Sequence, residues 1–131
     1  MTKSDLPSAL IVDDDADLCL LLSSIIIDQY SVTIAHTLGE ASEAINQFCA
    51  QLIFLDHHLP DGLGFDFIPT IRERNEQATI IVITADPTGA MRQKVLGESN
   101  TWFLSKPFSI RAVQDVLSTI GEMRVSQERA Q

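Results

Sequence analysis

The sequence predicts an α/β domain built on a parallel sheet. Short apolar runs alternate with stretches of helical periodicity five times over. The clearest of these runs stop abruptly at a polar or charged residue, the habit of a strand buried on both faces that ends at a loop. With 131 residues the chain suits one domain and one core.

Ala9-Leu-Ile-Val12 is the first strand, closed by Asp13-Asp-Asp15. From Ala16 to Gln29 apolar residues fall at 18, 21, 22, 25 and 26, a helical stripe. Val32 and Ile34 alternate with polar neighbours and mark a weaker strand near a sheet edge. Ala41, Ala44, Ile45 and Phe48 mark the second helix, and Leu52 to Leu55 the third strand. Asp61-Gly62 is turn chemistry. The third helix turns Phe67, Ile68 and Ile71 inward, and Pro69 places its first turn, with Asp66 as the expected N-cap. Ile80-Ile-Val-Ile83 is the fourth strand and stops at Thr84. Pro87 and Gly89 open a fourth helix that runs through Leu96. Trp102 to Ser105 is the last strand; Ser109 then caps a helix with Ile110, Val113, Val116, Leu117 and Ile120 on one side. The domain therefore covers residues 8–121. Residues 122–131 lose the periodicity and read as a frayed tail or linker stub.

Composition narrows the function. The net charge is −9, from 18 acidic and 9 basic residues, which argues against direct binding to nucleic acid or an anionic membrane. Cys19 and Cys49 fit no zinc spacing and are too few for a disulfide scaffold. The least polar stretch, Leu18 to Ile27, is about ten residues long, too short to span a bilayer, and the N-terminus shows no signal-peptide pattern. A cytoplasmic location is expected.

In an open parallel sheet, ligands bind beyond the carboxyl ends of the strands. Asp13 and Asp14 follow the first strand, Asp56 the third, Thr84 the fourth and Lys106 the fifth. Carboxylates held this close repel unless a cation sits among them. A hard divalent ion with oxygen ligands fits such a group, Mg²⁺ above all where a phosphate is also present, with Mn²⁺ as substitute. A carboxylate can attack phosphorus, and the phosphoryl oxygens then need the donors and positive charge that Lys106 and Thr84 offer. The adjacent pair His57-His58 is a poor transition-metal chelate, because neighbouring side chains at a strand-to-loop turn diverge.

Taken together, IVDDD, LIFLDHHLPDGLG, IVITA and FLSKPF resemble, in order and spacing, the receiver domain of two-component response regulators, over about Ser8 to Ile120. The resemblance implies a three-layer flavodoxin-like (βα)5 fold with sheet order 2-1-3-4-5. It implies Asp56 as phosphoacceptor, Asp14 bound to the metal directly, Asp13 mainly through water, and the His58 backbone carbonyl as a further ligand. Thr84 and Phe103 would form the switch, and Lys106 would pair with the phosphoryl group before a cis bond to Pro107. The donor would be a phosphohistidine on a sensor histidine kinase or a histidine phosphotransfer protein. The readout would be the face of the fourth helix, fifth strand and fifth helix, with a phosphorylation-dependent homodimer as one outcome. His58 and Asp86, each two places after a key residue, would flank the attacking water and tune the lifetime of the phosphorylated state. On the first helix Leu20 and Ile27 point outward with Ser23 and Ser24 between, which suits a docking helix or is scattered surface apolarity; Trp102 on an edge strand is a partner anchor or half-buried packing.

Two positions depart from the family pattern. Ser99-Asn100 replaces a common Gly-Ala, a turn Asn can make, and Leu38 stands where glycine is common. Two rivals remain. A haloacid-dehalogenase-type phosphatase would use Asp13 as nucleophile and Asp15 as acid/base, but the chain is short for it and lacks a late acidic pair after Lys106. The domain could also be a receiver module of a larger regulator or hybrid kinase.

Overall fold

The computed structural model describes residues 5–86 and 88–130, and the side chains of these up to residue 123. Five parallel strands form the sheet: β1 Ser8–Val12, β2 Ser31–Ala35, β3 Ala50–Asp56, β6 Thr79–Thr84 and β7 Thr101–Ser105. Their order is β2-β1-β3-β6-β7. Labels β4 (His58–Leu59) and β5 (Gly62–Leu63) belong to a small antiparallel hairpin after β3, so the order is the 2-1-3-4-5 that the resemblance implies. The helices are α1 Ala16–Ile26, α2 Leu38–Gln47, α3 Ile68–Arg74, α4 Ala90–Leu96 and α5 Ile110–Ala130.

Strand alternation divides the core in two. Leu10, Val12, Ile53, Leu55, Ile80 and Val82 face one side and pack with α2, α3 and α4. Ala9, Ile11, Leu52, Phe54, Ile81, Ile83 and Leu104 face the other and pack with α1 and α5. Both faces of the sheet are covered, which explains why the central strands carry no polar alternation. In β2 Val32 and Ile34 are only partly buried, as an edge strand requires. The α1 stripe sits as expected. Leu22 and Ile26 are buried and Leu18 and Ile25 pack against them, while Leu20 is 64% and Ile27 42% exposed.

Several expectations need correction. Asp66 does not cap the third helix. A 3₁₀ turn, Gly64–Phe67, precedes α3, Phe67 occupies the cap position with no side-chain bond, and Pro69 sits in the first turn. Periodicity cannot separate a four-residue 3₁₀ turn from the start of an α-helix. The first helix ends at Ile26, three residues short of Gln29. α5 continues to Ala130, past residue 121 where the helical periodicity stops. At the start of α4, Gly89 is the N-cap at φ 76°, a left-handed conformation that suits glycine; Pro87 lies outside the described residues. Ser109 caps α5 by accepting from Ala112 N at 3.1 Å. Asn100 adopts φ 50°, the turn its residue type allows, and Lys106–Pro107 is cis. Among the described residues, no helix is long and apolar enough to cross a membrane.

Candidate functional site

Asp13 is fixed on almost every side. Its N–H donates to Ala35 O at 3.0 Å, and its carbonyl is met by Cys19 Sγ at 3.3 Å and His36 Nδ1 at 2.9 Å. Oδ1 accepts from Asp15 N at 2.9 Å. That leaves Oδ2, buried and without a hydrogen bond, although the Lys106 ammonium stands 3.1 Å away as an ion pair. Asp15 itself is the N-cap of α1, its Oδ1 accepting from Leu18 N at 3.2 Å.

Asp56 closes β3 and is 4% exposed. Lys106 Nζ lies 3.3 Å from its Oδ1, so one ammonium bridges Asp13 and Asp56. One oxygen each from Asp13, Asp14 and Asp56 falls within a 4.8 Å cluster, the one such group among the described residues. Burial raises the Asp56 pKa, and the Asp13 charge raises it further, against the pull of Lys106. Burial alone would lower Lys106, but contact with Asp13 and the charge of Asp56 leave it raised, so the ammonium stays protonated. The donors suit a small hard cation: oxygen only, three carboxylates, and a buried acceptor that lacks a hydrogen-bond donor.

Thr84 is buried at the end of β6, and its Oγ1 accepts from Asp86 N at 3.3 Å. Its carbonyl accepts from Lys106 N at 2.9 Å, which ties the two strand ends together. Phe103 is partly buried against the α2/α3/α4 core, with the Arg92 guanidinium over its ring at 5.9 Å.

The loop after Asp56 is held from within. His57 N donates to Ile83 O at 2.9 Å, Gly64 N to His57 O at 2.7 Å, and Phe65 N to His57 Nδ1 at 3.3 Å. Gly64 is required, because a Cβ there would stand 2.1 Å from Asp56 O. His57 is buried and its pKa is lowered, first by that burial and then by His58. The two imidazoles meet edge to face at 4.8 Å, with one nitrogen of His57 already engaged by Phe65, and no third ligand joins them among the described residues. His57, His58, Ala85, Asp86 and Met91 line a cavity of about 340 Å³. Asp86 turns its carboxylate to the start of α4, accepting from Thr88 N at 2.9 Å, Thr88 Oγ1 at 2.7 Å and Met91 N at 3.1 Å.

Away from this rim, Trp102 packs against the α1/α5 core and lines a cleft of about 600 Å³ with Gln51, Asn75, Asn100 and Ile120. That cleft lies at the amino ends of the strands, opposite the carboxylates. The reading of the sequence missed His36 and Asp61. Both act through contacts more than twenty residues distant in the chain, which no local pattern records.

A parallel sheet with carboxylates, a hydroxyl and an ammonium gathered at one rim is a site chemically suited to a phosphoryl group and a hard cation. The sequence model of the response regulator receiver domain matches residues 9–118, and the chain belongs to that family. It is 30% identical over 126 residues to the sensor histidine kinase TmoS of Ectopseudomonas mendocina, 95% of this chain and 13% of that one. It is 30% identical over 120 residues to the response regulator protein PilR of Pseudomonas aeruginosa, 88% of this chain and 26% of that one. The chain thus spans a minor part of these two relatives. A CheY-like response regulator receiver domain protein from Methanospirillum hungatei has the same fold, with a TM-score of 0.78 and 26% identity over 97% of this chain and 100% of that one. Family membership sets the phosphatase alternative aside.

Proposed function

We propose that Asp56 accepts a phosphoryl group from a phosphohistidine donor, and that this domain is a switch rather than a turnover catalyst. The observation that carries the reading is the bridge from Lys106 to both Asp13 and Asp56 beside the buried Thr84. An Asp56 oxygen attacks phosphorus, the P–O bond forms as the P–N bond breaks, and the histidine nitrogen leaves with the electron pair. Asp13, Asp14, Asp56 and the His58 carbonyl would hold Mg²⁺, or Mn²⁺ in its place. The ion would supply charge neutralisation at the phosphoryl oxygens. Lys106 would move from its carboxylate bridge to the phosphoryl group, and the Thr84 hydroxyl would turn to donate to it. Phe103 would then fill the space Thr84 leaves, shifting an equilibrium between two states of the domain. Water returns Asp56 to the carboxylate, and His58 and Asp86 tune how fast.

The donor would be a sensor histidine kinase or a histidine phosphotransfer protein. The exposed Leu20 on α1 and Ile27 at its C-cap, with Ser23 and Ser24 between them, would dock it. Trp102, half-buried, serves packing more than docking. The face of α4, β7 and α5 would carry the readout, with a homodimer as one form of the phosphorylated state. Two unpaired cysteines accord with a reducing cytoplasm. Because the match covers only 13% and 26% of two longer relatives, output through an attached effector is the second reading.

Intact mass after incubation with acetyl phosphate and Mg²⁺ tests this. One Mg²⁺-dependent phosphoryl adduct, absent in Asp56→Asn, is expected. An adduct that survives in Asp56→Asn and disappears in Asp13→Asn would overturn it.

A further inference from the structure

We propose that Asp61 is a positioning residue for the metal-binding loop, fastening the β4–β5 hairpin to the first turn of α2. The inference rests on the functional reading above, in which the His58 carbonyl in this hairpin holds the cation.

The hairpin needs an outside anchor. Its ladder pairs only two residues on each strand, His58 with Leu63 and Leu59 with Gly62, too little to hold a geometry alone. Its base is pinned through His57 to β6 and the 3₁₀ turn. Its tip is the turn Pro60-Asp61, which those bonds do not include. There the Asp61 carboxylate accepts from two successive backbone groups, Leu38 N at 2.8 Å through Oδ1 and Gly39 N at 3.0 Å through Oδ2. These are first-turn N–H groups that a helix cannot satisfy itself. The two bonds hold the Asp61 carboxyl below the usual carboxylate range, so it stays charged at neutral pH.

Capping α2 is only part of what Asp61 does. The helix has its own cap, Thr37 Oγ1 accepting from Glu40 N at 3.0 Å and Glu40 Oε1 accepting from His36 N at 3.0 Å. What Asp61 adds is a link across the fold. Its tip is also seated sterically, since a Cβ on Gly62 would come within 2.9 Å of Leu38 Cδ1. One residue before Thr37, His36 contacts the Asp13 carbonyl at 2.9 Å. The short segment His36–Gly39 therefore touches Asp13 on one wall of the cation site and the hairpin on the other. Through it the two walls are set at a fixed spacing.

The test is Mg²⁺ affinity, measured by NMR titration of the full chain, together with the initial rate of phosphorylation by acetyl phosphate. Asp61→Ala should weaken Mg²⁺ by about tenfold, the low end of the usual cost of losing outer-shell support. Its phosphorylation should slow at limiting Mg²⁺ and recover at saturating Mg²⁺. Asp61→Asn, with one acceptor oxygen left, should fall between. Thr37→Ala removes a cap of the same helix without touching the hairpin, so it should lower the melting temperature and leave Mg²⁺ affinity unchanged. Wild-type affinity and rate in Asp61→Ala, or equal weakening in Thr37→Ala, would overturn the inference while the phosphoacceptor reading stood. A wild-type chain that takes no Mg²⁺-dependent phosphoryl group would overturn both.

Discussion

Asp56 is held in a state that opposes folding. Its pKa is raised from 3.8, chiefly by burial and next by Asp13, so the folded protein binds a proton that the unfolded chain releases. Stability is greatest below the unfolded value and is lost as pH climbs through the window up to the raised folded value. Above that window the cost of the charge is fully present. Asp56→Asn should therefore melt higher than wild type at pH 7, by on the order of 1 kcal/mol, with the gain vanishing below pH 3.8 where both side chains are neutral. Thermal melts across pH check this, and an equal or lower melting temperature for Asp56→Asn at pH 7 would refute it. The charge itself was legible, since an aspartate that ends a run of buried apolar residues has no packing reason to be there. The division of labour in Asp13-Asp-Asp15 was not. Asp15 turned out to be a helix cap, and only the course of the backbone tells it from its two neighbours.

Among the elements, α4 has seven residues and depends on what precedes it. Asp86 links Thr84 to this helix. Its N–H reaches Thr84 Oγ1, and its carboxylate holds Thr88 and Met91. Met91 is buried in the core, so the link is anchored at its far end. The exposed His58 lines the same cavity from the other side. Both His58→Ala and Asp86→Ala should shorten the life of the phosphorylated state severalfold, the first by uncovering a route for water, the second by freeing α4. Decay of the phosphorylated mass with time measures it, and unchanged rates in both would remove the role. Long, strongly periodic elements such as α1 were read well. The 3₁₀ turn before α3 and the continuation of α5 were not, because each departs from the apolar periodicity on which the reading depends.

For the whole molecule, the chemistry gathers at one rim of the sheet and a structural clamp at the other. Arg72, near the end of α3, donates to the carbonyls of Glu76, Ala78, Ser99 and Asn100 and to Thr101 Oγ1. It ties the starts of β6 and β7 together, and burial pulls its pKa down. Arg72→Met should cost about 2 kcal/mol, the range of charge-assisted hydrogen bonds, because the acceptors lose their donor. Denaturant melts should show that loss while phosphorylation by acetyl phosphate persists. Wild-type stability would argue that water replaces the clamp. Strand order was not legible from spacing; it came with the resemblance, since many orders bury the same apolar runs. Arg72 gave no sign of its role, because a lone arginine on a helix reads as surface charge.

Gly62 carries a consequence for engineering. A side chain there would meet Leu38 Cδ1 at 2.9 Å, a leucine tip that can turn aside, but the backbone φ of 155° is one that residues with a Cβ rarely adopt. The position is kept for glycine by its own backbone more than by its neighbour. A chimera that borrows a loop with a bulky residue at 62 must borrow that loop's whole backbone course with it, and trimming Leu38 alone will not make room.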